Sequence, residues 1–188
     1  MNIVRRQYLN NLLFKFYLMK DEKLDIFDEE GKFIGTEYRS IAHKKGLWHK
    51  AAHIWIYNSK GQLLLQKRAK NKNTHPGLWD ISAAGHVSSG EKPIDSALRE
   101  LYEELGIKLN VNDLKEIRII KASGRPKPNR HNQEFDYVYL LKLNIDVNKL
   151  NLQKEEVEFV KFFDLDKLEK DLKDEKENKK ICSSWTSK

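Results

Sequence analysis

Glu100, Glu103 and Glu104 lie three and four residues apart in the stretch RELYEELG, the spacing that brings side chains to one face of a helix. Like charges so placed repel by roughly a few tenths of a kcal/mol per pair. Gly106 just beyond them is a natural helix stop, so the carboxylates stand at the end where the helix dipole also disfavours anions. A divalent cation would offset this. Mg²⁺ or Mn²⁺ takes hard oxygen ligands and keeps positions for water and phosphate oxygens. Held there, it could polarise a diphosphate, stabilise a leaving phosphate and lower the pKa of an attacking water. Alone, the three glutamates read more readily as a solvated helix face, with Asp95/Arg99 and Glu104/Lys108 as ordinary exposed pairs.

The segment around them must place that face. In GHVSSGEKPIDSALRELYEELGI, Pro93 suits a first helical turn, and Ile94, Ala97, Leu98, Leu101 and Leu105 recur at helical spacing. With those residues toward a core, the glutamates turn to the opposite side and toward the glycine-bearing loop from Gly85 to Gly90. Upstream, LDIFDEEGKFIG reads as a hairpin around Glu30-Gly31, and AAHIWIYNSKGQLLLQKR as two strands joined at Ser59-Lys60-Gly61. Pro76-Gly77 marks a turn, and WDISAAGHV a short strand into the glycine loop. Downstream, LKEIRIIKAS, EFDYVYLLKLN and EEVEFVKFFDL read as strands, with SGRPKPNRHNQ a polar loop between the first two. Leu165, Leu168 and Leu172 predict a last amphipathic helix, and DEKENKK is too charged to fold alone. The organisation expected is an N-terminal extension (1–22), one α/β domain (23–173) and a charged C-terminal tail (174–188).

The 188 residues, 39% hydrophobic, suit one globular domain. A net charge of +7 favours anionic partners, whether nucleic acid, membrane surface or a phosphorylated small molecule, and equally serves solubility through scattered lysines. The single cysteine, Cys182, excludes an internal disulfide framework and fits a reducing, cytoplasmic setting. In MNIVRRQYLNNLLFKFYLMKDEK, Arg5 and Arg6 precede an apolar run as in a signal peptide. Lys15 interrupts that run, however, and no small-residue cleavage site follows. No apolar stretch is long enough to span a bilayer, so no membrane partner is expected; an interfacial helix or a translation start at Met19 are the readings left for this segment.

Gly85, five residues, Glu91, seven residues and then RELYEELGI resembles the Nudix box at every specified position. A chance match at one start is on the order of 10⁻⁹. The resemblance implies an α/β/α sandwich with a mixed β-sheet. It also implies an Mg²⁺- or Mn²⁺-dependent hydrolase that cleaves a small diphosphate by water attack at phosphorus. Glu100, Glu103 and Glu104 would be metal ligands, with the Gly85 carbonyl a further one. Glu91 and Arg99 would brace loop against helix, and Gly106 would close it.

Beyond the box, HKKGLWHKAAHIWIYNSKGQLLLQKRAKNKNTHPGLWDISAAGHV and LQKEEVEFV are similar to the Nudix branch nearest metal-dependent isopentenyl diphosphate isomerase. On that resemblance His43, His49 and His86 occupy histidine positions that hold a metal; here they would bind a second metal, contact phosphate or persist as packing. Glu134 matches a catalytic glutamate, and Asn132 stands where a second liganding glutamate is expected. Ala84 replaces the proton-transferring cysteine, and a methyl group transfers no proton. With the box complete, hydrolysis is favoured over isomerisation. The other alternative is a non-catalytic RNA or nucleotide binder, ranked last because no RNA-module signature is present.

Candidate general bases are Glu103, Glu134 and the pair Glu155/Glu156. Lys67 and Arg68 at a strand end, His86, and Arg125, Lys127 and Arg130 are candidate phosphate contacts. Trp48, Trp55, Trp79 and Phe135 could wall an apolar tail, stack on a base or simply pack in the core. His53 and His75 read as satisfied surface or core residues. The expected partner is a small-molecule diphosphate, isoprenoid or nucleotide-derived, and the resemblance suggests a homodimer.

Overall fold

The computed structural model describes residues 21–72, 74–128 and 130–182. Residues 1–20 of the expected extension, Met19 among them, and 183–188 of the expected tail lie outside them. The strands are β1 (Lys23–Phe27), β2 (Phe33–Tyr38), β3 (Trp48–Tyr57), β4 (Leu63–Arg68), β5 (Trp79–Asp80), β6 (Ala83–His86), β7 (Lys115–Lys127), β8 (Arg130–Lys142) and β9 (Val157–Phe163). The helices are α1 (Arg39–Lys45), α2 (Pro93–Leu105), α3 (Leu165–Lys173) and α4 (Glu175–Asn178).

The sheet is mixed. β3 runs parallel to β8 and antiparallel to β6, and β8 pairs antiparallel with β7. β3 meets β4 only at Ile56/Leu64 and Tyr57/Leu63, and β4 continues the sheet into β5 and β9. Beside that contact Ser82 bridges the two strands: Ile56 N–H donates to Ser82 Oγ (2.8 Å), and the hydroxyl donates to the Leu64 carbonyl (2.5 Å). Those bonds satisfy buried backbone groups. On one face Ala97, Leu101 and Leu105 of α2 pack with Ala52, Ile54 and Ile56 of β3, Leu64 of β4 and Tyr139 of β8. On the other, Leu168 of α3 packs with Leu65 and Ile181. Helices on both faces of a mixed sheet give the sandwich. No helix among the described residues is long and apolar enough to cross a membrane.

Three segments differ from the sequence reading. The stretch RSIAHKK forms α1, which a strand-and-turn reading overlooked; it ends at Gly46 (φ 66), where Leu47 N–H bonds the Ala42 carbonyl (2.9 Å). The presumed loop SGRPKPNRHNQ is mostly ladder, because Ser123 pairs with Gln133 and Gly124 with Asn132 before a bulge lets Lys127 meet Arg130. Beyond residue 173 the chain stays on the domain: Trp79 N–H bonds the Lys180 carbonyl (2.8 Å), Cys182 N–H bonds the Trp79 carbonyl (2.7 Å), and both Ile181 and Cys182 are buried.

Candidate active site

A cavity of about 380 Å³ is lined by Glu100, Glu103 and Glu104 from α2, Gly85 and His86 from β6, and Asn132 and Glu134 from β8. It therefore joins the two residue groups singled out in the sequence.

On the α2 side, close approach to β6 requires a glycine: a Cβ on Gly85 would lie 2.0 Å from Glu100 Oε1. Arg99 binds the helix to the preceding loop. Its Nε and Nη2 donate to the two oxygens of Glu91 (3.1 Å each), and Nη2 also donates to the His86 carbonyl (3.1 Å). Nη1 donates to Glu100 (2.6 Å) and Glu103 (3.3 Å). Burial opposes the charge of Arg99, but Glu91 and Glu100 outweigh it and hold the guanidinium above its usual range. The repulsion noted in the sequence is thus met partly from within the helix. The rest appears as protonation: burial pushes Glu100 up to about 7 against the pull of Arg99. Glu104, buried and accepting from Gln66 Nε2 (3.1 Å), is raised well above the usual carboxylate range by burial and then by Glu100. The helix carboxylates line the cavity, yet they are not the most tightly gathered donors.

That place belongs to His43, His49 and His86, whose donor atoms all lie within 4.8 Å of one another. Each Nδ1 faces an acceptor: the His131 carbonyl for His43 (3.0 Å), the Leu47 carbonyl for His49 (2.8 Å) and Glu22 for His86 (3.8 Å). Since a carbonyl only accepts, Nδ1 of His43 and His49 carries a proton, and in neutral His43 that leaves Nε2 as the acceptor. The Nε2 atoms converge. His43 and His86 are 3.2 Å apart at Nε2, and Glu134 Oε1 lies 3.4 Å from His49 Nε2 and 3.6 Å from His86 Nε2. Tetrahedral bonds of about 2.0–2.1 Å would give donor separations of about 3.3–3.4 Å. Burial lowers His43 to about 4, helped by Arg130, and His86 to about 3. Burial alone would raise Glu134, but the His49 and His86 rings facing its carboxylate outweigh that and hold it well below the usual range. Neutral His43 and His86 beside an ionised Glu134 are in the protonation state that metal binding requires. Buried His49 Nε2 and Asn132 Oδ1 have no hydrogen-bond partner, and a cation would satisfy such atoms.

The remaining candidates divide. Arg68 lines the cavity but is engaged, through Nε and Nη2 with the Thr74 carbonyl (3.2 and 3.1 Å) and through Nη1 with Asp80 (2.7 Å). Lys67 lies over the Trp79 ring (5.1 Å) and does not line the cavity. Glu156 lines it, paired with Lys72, while Glu155 does not. Arg125 Nη2 stands 3.4 Å from His131 Nε2, and Lys127 lies outside the residues whose side chains are described. Trp48 packs on Phe135 and Trp79 on Phe163, away from the cavity (ring centroids 5.1 and 4.6 Å). The sequence reading passed over Arg39, which no motif marks. Arg39 and Arg130 both line the cavity, neither has an ion pair among the described residues, and buried Arg130 Nε has no hydrogen-bond partner.

The NUDIX domain family model matches residues 47–184. An uncharacterized Nudix hydrolase of Clostridium acetobutylicum is 39% identical over 153 residues, covering 80% of this chain and 73% of the relative. An isopentenyl-diphosphate Delta-isomerase of Serratia proteamaculans is 34% identical over 120 residues, covering 64% of this chain and 65% of the isomerase. Among solved structures, a Deinococcus radiodurans protein superposes with a TM-score of 0.60 at 24% identity, covering 78% of this chain and 86% of that one, which is a likeness of fold.

Proposed function

This chain belongs to the Nudix family of hydrolases, and from that premise we propose that it is a divalent-cation-dependent hydrolase of a small diphosphate, with two cation positions in one cavity. The observation that carries the reading is that the box glutamates line the same 380 Å³ space as His86 and Glu134, the members of the histidine cluster that reach it, with His43 and His49 buried behind them. In this reading the catalytic domain begins near residue 23.

Glu100, Glu104 and the Gly85 carbonyl hold Mg²⁺ or Mn²⁺, the cations suited to oxygen donors. His43, His49, His86 and Glu134 hold a second cation of the borderline kind that imidazole and carboxylate select. A bound cation supplies Lewis acidity to the diphosphate and acidifies water. Glu134 is then a ligand. Glu103, whose side chain is 49% exposed and which ion-pairs with Arg99 alone among the described residues, is left as the base that takes the proton of the attacking water. Arg39 and Arg130 bind phosphate oxygens in the role first sought for Lys67 and Arg68: guanidinium forks match phosphate geometry, and these two have no carboxylate ion-pair partner among the described residues. Ala84 lies next to His53 across β6 and offers no group for proton transfer to carbon.

The test is incubation of the protein with Mg²⁺ or Mn²⁺ and a panel of isoprenoid and nucleoside diphosphates, reading phosphate or monophosphate release. Release that falls about 100-fold or more in Glu103→Gln supports the assignment. No release by the wild type, or equal rates in both proteins, overturns it; deuterium incorporation into carbon without phosphate loss would move the chain to the isomerases.

A further inference from the structure

His53 read in the sequence as a satisfied residue of an alternating strand. The structure gives it a different setting. It lines the cavity beside Ala51 and Ala84, and its Nε2 stands 3.5 Å from Asp136 Oδ1. Asp136, on β8, is buried, and that oxygen makes no hydrogen bond. A buried carboxylate oxygen needs a donor. His53 is the donor at hand, so its ring turns N–H toward Asp136 and keeps Nδ1 as an acceptor for whatever enters the cavity. His53 Nδ1 has no hydrogen-bond partner among the described residues.

The rest of this floor is small and aliphatic at Ala51 and Ala84, and among the described residues no Trp, Tyr or Phe lines the cavity. A hydrocarbon tail laid here would cover an imidazole acceptor without satisfying it and would meet no aromatic wall. A hydroxyl or amino group would satisfy it. Sites built to bond such groups discriminate strongly against analogues lacking them, because the unmade bond leaves a buried polar group unpaired.

We propose that His53, positioned by Asp136, is a specificity-determining residue that accepts a hydrogen bond from the group attached to the diphosphate. The preferred substrate then carries a hydroxylated or aminated group and not a hydrocarbon chain. This rests on the diphosphate-hydrolase reading of the cavity, and it is tested by binding so that the two stand or fall separately.

The probes are 2,3-dihydroxypropyl diphosphate and propyl diphosphate, titrated calorimetrically with Mg²⁺ into Glu103→Gln protein. The dihydroxy compound should bind about tenfold tighter. In the same background His53→Leu should bring the two affinities within about twofold, and His53→Gln, which keeps an acceptor, should restore most of the preference. His53→Leu/Asp136→Leu removes both polar partners together and gives the same equalised result in a chain that keeps its fold, checked by circular dichroism and melting. Equal binding of the two probes to the parent, or a preference that survives both leucine variants, overturns the proposal. If the preference stands while wild-type protein turns over neither probe nor any diphosphate of the panel, the hydrolase reading fails and the specificity role remains. If His53→Leu instead lowers kcat for both probes alike and removes a limb of the pH profile, His53 belongs to the chemical step and the proposal fails.

Discussion

Two groups of ligating side chains meet at one cavity, which the α2 glutamates line on one side and His86 and Glu134 on the other, and they solve the problem of gathered donors differently. The α2 glutamates carry their own counter-ion: Arg99 reaches Glu100 and Glu103, and burial keeps Glu100 and Glu104 in the protonated direction. The histidine cluster has no such cation within it. Nδ1 of His43 and of His49 donates to a carbonyl, the Nε2 atoms converge beside Glu134, and His49 Nε2 is buried without a hydrogen-bond partner. The first arrangement is self-compensated and must exchange a proton or an Arg99 contact to receive a cation. The second is set for one already. A cavity with one adjustable and one preset position can retain a cation between turnovers while another arrives with substrate.

The largest effects should come from ligand loss, and they should separate the two positions. His49→Ala or Glu134→Ala removes a donor outright and should weaken Zn²⁺ or Mn²⁺ at the histidine position by more than the roughly 10–100-fold attached to outer-shell partners. Glu104→Gln should leave that affinity within about twofold and instead lower Mg²⁺-supported turnover by about 100-fold or more. Calorimetric titration on each variant checks this; a Glu104→Gln protein that lost both affinities together would merge the two positions into one.

Acid should act on the two groups in opposite senses. His43 titrates at about 4 against 6.5 when unfolded, so between those values the unfolded chain binds a proton that the folded one refuses. Its contribution to stability is therefore lost as pH falls through that window, and His86, lowered to about 3, adds to the loss. Glu100 runs the other way. It titrates at about 7 against 4.5, so the folded state holds the extra proton, and its contribution declines as pH rises from 4.5 to 7. The same proton must leave before Glu100 ligates. Mg²⁺ affinity at α2 should then fall by up to about tenfold per pH unit below 7, while binding at the histidine position, where burial lowers His43 and His86, should fall less steeply over the same range. Parallel titrations at pH 5 and 8 measure the difference, and equal pH slopes would erase it.

Arg99 can be replaced without touching a proposed ligand. Arg99→Gln breaks the bidentate contact with Glu91 and the bond to the His86 carbonyl, and it should cost roughly 2 kcal/mol by chemical denaturation, discounted for partial exposure. It also removes the internal counter-ion, so the loss should shrink as Mg²⁺ is added.

The motif helix was legible because its signals are local: Pro93, the apolar period and Gly106 mark it without help from the rest of the chain. The central strands were legible by alternation, and the position of the glutamates followed. What the letters did not yield is tertiary. α1 lacks a capping side chain and is seven residues long, too short for periodicity to declare it, yet it delivers His43. Gly124 and Pro126 spell a loop, but β8 pairs with the strand as far as Gly124 and, beyond a bulge, again at Lys127, and this pairing brings Asn132 and Glu134 into the cavity. Lys67 and Arg68 looked alike as strand-end cations. Pairing of β4 with β5 puts Trp79 beneath Lys67, whereas Arg68 is spent on the Thr74 carbonyl and Asp80. His53 showed only as one more residue of an alternating strand, because its partner Asp136 lies on a strand far along the chain.

The smallest effect expected tests whether the preset position depends on that inconspicuous helix. Gly46 ends α1 at φ 66, where a side chain is strained by roughly 1 kcal/mol, and a Cβ there would meet the His131 Cβ at 3.3 Å. The His131 carbonyl is the acceptor that fixes His43 Nδ1 (3.0 Å). Gly46→Ala should therefore lower stability by about 1–2 kcal/mol, read from urea unfolding. It should also loosen the histidine position several-fold for Zn²⁺ while leaving Mg²⁺ at α2 unchanged. If both affinities hold and stability alone drops, His43 is placed by the cavity wall and not by the helix that carries it.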